Sequence, residues 1–156
     1  MLNNFLDTIS NKHGYWREGK VIITSIKRIQ NKNLYERYYF SKLRITNKLE
    51  KLKSAGKNIN PYKYEVLGFH GTRTADPSLI YNSQEGIDRR FTTTGAFGMG
   101  TYFAVQASYS CSSGFVYSNS ENYKVLLCRI CPGIMTDRNQ LDPGTRSILN
   151  VNPNTG

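Results

Sequence analysis

The spacing of apolar and polar positions changes several times along the chain. A β-branched run at 21–26 predicts a buried strand. Helical spacing then predicts a helix from about 33 to 55, built on Tyr35, Tyr38, Ile45, Leu49 and Leu52. Asn31 or Asn33 is predicted to cap its start, and Gly56 is expected to take left-handed backbone just after its end.

Shorter elements follow in the second half of the chain. Asp76 as N-cap and Gly86 just past the end predict a short helix at 77–85. Residues 106–113 are expected to form a helical turn or two. Further strands are predicted at 64–69, 101–105 and 123–131. Strands separated by helices of unequal length, without a regular βαβ repeat, indicate an α+β fold.

Charge is distributed unevenly along the chain. The 21 Lys and Arg outnumber the 11 Asp and Glu, which gives a formal net charge of +10. Basic residues are dense between 12 and 63 and sparse between 74 and 123. Two interpretations stay open for the basic half: a solvated helix face, and a surface for nucleic acid or another anionic partner.

The cysteines and histidines do not form a ligand set in the sequence. Cys111, Cys128 and Cys131 are an odd number for a disulfide framework. Two of them have C-x-x-C spacing, yet a zinc site needs four ligands, and His13 and His70 are remote in sequence. We therefore expect no metal, and ordinary thiols in a reducing compartment. Since the chain has no signal-peptide pattern and no long apolar stretch, we expect an intracellular protein, cytoplasmic or nuclear, with no membrane partner.

Two glycine-containing motifs lie beside predicted strands. "FHGT" (69–72) follows the strand at 64–69, and "GAFGMGTYFA" (95–104) runs into the strand at 101–105. Glycine lets a ligand approach the backbone closely because no Cβ intervenes. Tight turns alone could also explain every one of these glycines.

Several segments occur together in one order: "VIITSIKRIQNKNLYERY" (21–38), "FHGT" (69–72), "GIDRR" (86–90), "FGMGTYFA" (97–104) and "ASYS" (107–110). In this order and spacing the chain resembles the catalytic domain of the poly(ADP-ribose) polymerases (PARPs), most of all the smaller mono-ADP-ribosylating members. The resemblance implies split antiparallel β-sheets with flanking helices, in a domain at 20–156 preceded by an N-terminal extension at 1–19. The family's closing strands and its third catalytic position are expected to be missing from this chain.

The resemblance also implies an activity. Such a domain uses NAD+ as co-substrate, breaks the bond between nicotinamide and ribose, and transfers ADP-ribose to a protein acceptor. Catalysis then requires fixing the nicotinamide and the ribose while positive charge develops. Transfer of a single unit is expected. The alternative is a catalytically inactive PARP-like scaffold whose basic N-terminal half binds nucleic acid or protein.

Site residues follow by the same resemblance. Gly71 would hold the nicotinamide carboxamide through its backbone N–H and C=O, and Ser110 would donate its hydroxyl to the same group. Tyr102 would stack on the ring, since an aromatic face suits a flat cationic heterocycle. His70 would hydrogen-bond the adenosine ribose; with Tyr102 it is the candidate catalytic pair. A bulky residue at Gly71 is expected to abolish NAD+ binding while leaving the fold largely intact.

A second aromatic residue should close the nicotinamide site from the other side. In the resembling domains it follows the "ASYS" segment, so Phe115 or Tyr117 could serve. The resemblance also places the loop with Arg89 and Arg90 along the adenosine and phosphates. Solvated loop arginines are the alternative interpretation.

Overall fold

The structure, a computed structural model, describes six stretches of the chain: 22–57, 65–92, 94–95, 98–111, 114–119 and 122–133. The chain divides into two units. The first comprises Met1–Gly86 and Phe103–Ile134, and the second comprises Ile87–Tyr102 and Met135–Gly156.

Helix α1, Lys32–Ser54, is the main helix of the first unit. Its N-terminus is capped by the Asn31 side chain, which accepts a hydrogen bond from the Leu34 N–H at 3.1 Å. Gly56 follows its end with φ of +78°, the left-handed conformation that terminates helices. Leu49 is buried on its inner face, only 2% exposed. The predicted helix and both of its ends are therefore confirmed, and Asn31 is the capping residue.

Two antiparallel strand pairs form the sheets of the first unit. β1, Val66–His70, pairs with β6, Leu126–Ile130, and β4, Tyr117–Ser118, pairs with β5, Tyr123–Lys124. Phe69 of β1 is buried. The predicted strand at 123–131 is thus two strands, because the chain changes its pairing partner from β4 to β1 at residue 125. Helices with small antiparallel sheets confirm the α+β class.

Two short helices follow among the described residues of the first unit. α2, Ser78–Tyr81, is shorter than the helix predicted at 77–85. Its end is set by Ser83, whose hydroxyl donates to the Ile80 carbonyl and accepts from the Gly86 N–H, both at 2.8 Å. Such side-chain hydrogen bonds compete with helix continuation. α3, Ala107–Ser110, is the single helical turn expected at 106–113.

The second unit contains a 3-10 turn and a small hairpin. The turn spans Arg89–Phe91, and the hairpin pairs β2, Thr94–Gly95, with β3, Gly98–Met99. Asp88 caps the turn by accepting from the Arg90 N–H at 2.8 Å.

Two predicted strands are wrong. Residues 22–26 of the β-branched run have no secondary structure and are exposed, as are residues 27–30; Val21 lies outside the described residues. Strand propensity alone does not make a strand, because the backbone needs a paired neighbour. The segment at 101–105 pairs at one residue only, Ala104 with Phe69, whose N–H and C=O groups exchange two bonds of 2.8 Å.

A polar cluster around Glu65 joins α1 to the sheet. The Glu65 carboxylate accepts hydrogen bonds from the Tyr38 hydroxyl and from Lys42 Nζ, the latter at 2.5 Å, and Arg129 Nη1 lies 3.7 Å away. Hydrogen bonds from Lys42 and Tyr38 hold the pKa of Glu65 below its usual value. Burial, together with the bond to Glu65, raises the pKa of Tyr38 well above its ordinary range. Since Glu65 directly precedes β1, the cluster fixes where that strand begins.

None of the helices within the described part of the chain has the length and apolar character of a membrane span.

We predict that Glu65→Gln lowers the free energy of unfolding by about 1 kcal/mol at neutral pH, because it removes a charge-assisted hydrogen bond that is partly screened by water. The folded-state pKa is depressed, so this stabilisation is full above the ordinary carboxyl pKa of 4.5 and is lost as the pH falls through the folded value. Denaturant unfolding at several pH values measures it. Glu36→Gln is the control, since its exposed pair with Lys32, at 3.8 Å, should contribute less. Equal losses for both variants at neutral pH would contradict the role of Glu65.

Candidate functional site

The carboxyl end of β1 brings His70 and Gly71 against other segments of the first unit. A Cβ on Gly71 would lie 2.2 Å from the carbonyl oxygen of Phe115 and 2.7 Å from that of Ser110. Only glycine fits at this distance without a shift of the backbone. The His70 ring lies beside the Phe103 ring, with centroids 5.3 Å apart and planes tilted by 44°. Gly71 is therefore in direct backbone contact with both Ser110 and Phe115.

Ser110 is buried at the end of α3, with its hydroxyl turned towards β1. Its Oγ donates to the Phe69 carbonyl oxygen at 3.0 Å. The same carbonyl accepts the Ala104 N–H at 2.8 Å, so it keeps one partner if the Ser110 hydroxyl rotates away. Ser110 can exchange its protein acceptor for a ligand without leaving a buried carbonyl unpaired.

Phe115 lies between α3 and β4 and contacts an aromatic and a cationic side chain. Its ring stacks on Tyr109, with centroids 5.3 Å apart and planes 17° from parallel. The Arg73 guanidinium carbon lies 5.4 Å from the Phe115 ring centroid, within cation–π range. Tyr117 is part of β4, with Lys124 Nζ 5.3 Å from its ring centroid. Of the two aromatic candidates, Phe115 is the one whose backbone contacts the end of β1.

Arg73 has a backbone conformation that residues with side chains rarely adopt. Its φ is +55°, in the left-handed region, and its N–H donates to the Phe115 carbonyl at 2.9 Å. Such a conformation costs on the order of 1 kcal/mol and persists only where surrounding contacts fix it. The two contacts with Phe115, one through the backbone and one through the guanidinium, supply that constraint.

The loop after Gly71 is anchored at its far end. Asp76 pairs with Lys124 Nζ at 2.9 Å and accepts the Ser78 N–H at 2.8 Å. These hydrogen bonds hold the pKa of Asp76 well below its usual range. Within the loop, Thr72 Oγ1 donates to the Ala75 carbonyl at 2.5 Å. The turn from Gly71 to α2 is thereby fixed by side chains rather than by regular structure.

Tyr102 belongs to the second unit, where it packs on the β2–β3 hairpin. Its hydroxyl donates to the Gly98 carbonyl at 2.5 Å. A Cβ on Gly95 would lie 2.7 Å from Cζ of Tyr102, so the ring needs glycine at that position. The hairpin therefore sets the orientation of Tyr102 within its own unit.

The two arginines of the second unit differ in their surroundings. Both are exposed, but Arg90 pairs with Asp88 through Nε at 2.7 Å and Nη2 at 2.5 Å, whereas no ion pair within the described residues involves Arg89. The positive charge of Arg90 is thus partly offset by Asp88. The position of both arginines along the adenosine stays a prediction.

The cysteines are free thiols, and burial makes two of them poor nucleophiles. All three lie within the described residues and none forms a disulfide. Burial raises the pKa of the Cys111 and Cys128 thiols to about 11, so both are protonated at neutral pH. In the described part of the chain, no three His, Cys, Asp or Glu side chains cluster as metal ligands.

Four of the five candidate site residues lie in the first unit around the end of β1: His70, Gly71, Ser110 and Phe115. The fifth, Tyr102, is held in the second unit. The sequence did not indicate Arg73 or the stacking of Tyr109 on Phe115. Tyr109 falls inside the "ASYS" segment, which was a usable signal, whereas a left-handed arginine leaves none.

One expectation about Gly71 is wrong. A bulky replacement was expected to leave the fold largely intact, yet even a Cβ would overlap the backbone carbonyls of Ser110 and Phe115. Overpacking of this kind destabilises proteins. Loss of NAD+ binding in a Gly71 variant would therefore also report a disturbed fold.

Residues 2–146 match the family model of the poly(ADP-ribose) polymerase catalytic domain. The chain belongs to this family. It is 38% identical over 112 residues to a probable poly(ADP-ribose) polymerase of Dictyostelium discoideum, covering 71% of this chain and 31% of that protein. It is 32% identical over 120 residues to the human protein mono-ADP-ribosyltransferase PARP14, covering 75% of this chain and 6% of that protein. The chain thus spans less than a third of the length of either relative.

Membership confirms the resemblance drawn from the ordered segments. The PARP family is a family of ADP-ribosyltransferases, so the predicted enzyme class agrees with it. The boundary between an extension at 1–19 and a domain at 20–156 stays a prediction.

Two serines of α3 provide a matched pair for stability measurements. Ser108 is 1% exposed, and within the described residues its Oγ has no hydrogen-bond partner. We predict that Ser110→Ala lowers the free energy of unfolding by about 1 kcal/mol through loss of its hydrogen bond, whereas Ser108→Ala is neutral or stabilising because it removes an unpaired buried hydroxyl. Both changes alter helix propensity equally. Chemical unfolding measures both, and a greater loss for Ser108→Ala would contradict the assigned hydrogen bonds.

Proposed function

We propose that this chain is an NAD+-dependent mono-ADP-ribosyltransferase domain, which releases nicotinamide and transfers ADP-ribose to a protein side chain. The observation that carries the proposal is the backbone contact of Gly71 with Ser110 and Phe115 at the end of β1. It gathers a backbone donor and acceptor, a hydroxyl and an aromatic residue, which are the groups that a nicotinamide carboxamide and its ring require.

The groups around Gly71 fit the nicotinamide half of NAD+. The Gly71 N–H and C=O can pair with the carboxamide oxygen and amino group, and Ser110 can turn its hydroxyl from Phe69 to the same carboxamide. Tyr109 stacks on the Phe115 ring, and the Arg73 guanidinium carbon lies 5.4 Å from the centroid of the same ring. The nicotinamide ring would therefore stack on Phe115 by displacing the Arg73 side chain. An aromatic face attracts a cationic heterocycle through its quadrupole.

His70 and Tyr102 are proposed to position the rest of the reacting group. His70 would hydrogen-bond the adenosine ribose and thereby orient the dinucleotide, and the family resemblance assigns stacking on the nicotinamide to Tyr102. The dinucleotide supplies the leaving group, so the residues serve to hold nicotinamide and ribose still while positive charge develops on the ribose. The protein acceptor then takes the ADP-ribose.

Transfer of a single unit is the narrower part of the proposal. It is supported by the resemblance to mono-ADP-ribosylating members and by similarity to a human protein that is named as one. The relative from Dictyostelium is named as a polymerase, so the number of transferred ADP-ribose units has to be counted.

The alternative function is an inactive scaffold that binds nucleic acid or protein through its basic half. Under both hypotheses, this chain is proposed to act inside the cell, in the cytoplasm or the nucleus.

We predict that Phe115→Leu slows transfer about ten-fold, equivalent to ~1.4 kcal/mol of lost stacking, because leucine keeps the apolar bulk and removes the aromatic face. Tyr117→Leu, the same change at the other aromatic candidate, should alter the rate less than about two-fold. Incubation of the full chain with NAD+, followed by intact mass measurement over time, gives the rate, and mass mapping of the modified peptides gives the number of units on each acceptor.

Wild-type protein that acquires one unit per modified site would support mono-transfer, and a ladder of units would overturn it. A folded wild-type chain that acquires none would contradict catalysis. Equal effects of the two leucine variants would contradict the site at Phe115.

A further inference from the structure

The N-terminal half of α1 exposes large apolar side chains that the core does not use. Tyr35, Tyr39, Phe40 and Leu43 are 63%, 51%, 65% and 46% exposed, whereas Leu49, further along the helix, is 2% exposed. Three of the four are spaced by four residues, so they share one face of the helix. The rings of Tyr39 and Phe40 meet edge to face, with centroids 5.7 Å apart. We call these four residues the exposed apolar face.

Positive charge borders the exposed apolar face. α1 carries seven basic residues and two acidic ones, Glu36 and Glu50. A shallow groove on the helix is lined by Phe40, Leu43, Arg44, Asn47, Lys48 and Lys51. Two other basic residues of α1 are paired: Lys42 with Glu65, and Arg37 with Glu85. Among the described residues, Arg44, Lys48 and Lys51 form no ion pair. The cations of the groove can therefore pair with carboxylates of a partner protein.

We propose that the exposed apolar face of α1, with Arg44, Lys48 and Lys51, docks an acidic amphipathic helical segment of a partner protein. A continuous apolar surface bordered by polar groups is typical of protein interaction sites. From Tyr35 to Leu43 the face runs about 12 Å along the helix, enough for two turns of a facing helix. Carboxylates along the margin of that helix would meet the cations of the groove.

The charge on α1 decides between the other occupants. A second copy of the chain would bring the same positive face against itself, and like charges would oppose the contact. Nucleic acid would pair with the cations and could stack on an exposed aromatic ring, but it would leave the aliphatic surface of Leu43 without an apolar partner. An acidic amphipathic helix satisfies both the apolar and the charged parts.

The test uses the full chain and three fluorescent probes in anisotropy titrations. One probe is a synthetic peptide of about 18 residues with Leu at helical spacing and Glu elsewhere, long enough to form a helix. The second has the same composition in scrambled order. The third is a single-stranded oligonucleotide of about 12 nucleotides. The ordered peptide should bind at least about ten-fold more tightly than the scrambled one, because only it presents an apolar face.

Variants of exposed residues locate the site without disturbing the core. Phe40→Ala should weaken binding of the ordered peptide at least about ten-fold. Lys48→Gln should weaken it about three-fold and reduce its salt dependence, since that cation lies at the margin. Lys27→Gln, which removes an exposed cation outside α1, should change it less than about two-fold. Circular dichroism checks that each variant is folded.

Any of four results would overturn the proposal. These are equal affinity for the two peptides, tighter binding of the oligonucleotide than of the ordered peptide, no binding by a folded chain, and self-association that Phe40→Ala abolishes. The variants leave the residues of the proposed transfer site unchanged, so the result is independent of catalysis.

Discussion

The first unit depends on one close contact, in which the backbone of Gly71 packs against the carbonyl groups of Ser110 and Phe115. The distances leave no room for a Cβ, so this contact fixes three chain segments relative to one another. Gly71 directly follows β1, Ser110 is the last residue of α3, and Phe115 lies in the segment after α3. A ligand site formed there is held by backbone geometry, which changes little when exposed side chains change.

The surrounding interactions fix the ends of that contact. Glu65 joins α1 to the start of β1, and the Asp76–Lys124 pair anchors the loop that leaves Gly71. Arg73 holds a left-handed backbone against Phe115 at some cost in conformational energy. Polar contacts of side chains thus position short elements that have few regular hydrogen bonds of their own. The proposed transfer reaction requires such positioning more than it requires an acid or a base.

Part of this structure was predictable from the sequence. The caps of α1 and the glycine after it are local signals, and Asn31 and Gly56 fulfil them. The strand expected at 21–26 failed because β-branched residues do not specify a partner, and the strand at 123–131 divided because pairing is set by distant residues. The proximity of Gly71, Ser110 and Phe115 followed from family resemblance rather than from periodicity. Arg73 was missed because a strained backbone leaves no pattern in side-chain chemistry.

The most direct test of the account is calorimetric titration of the full, folded chain with NAD+, repeated in the presence of excess nicotinamide. The account predicts saturable binding of one NAD+ per chain, weakened by competing nicotinamide, because the contact around Gly71 holds the nicotinamide half. A folded chain that gives no saturable heat would contradict the central claim. NAD+ binding that nicotinamide does not affect would place the ligand elsewhere on the protein.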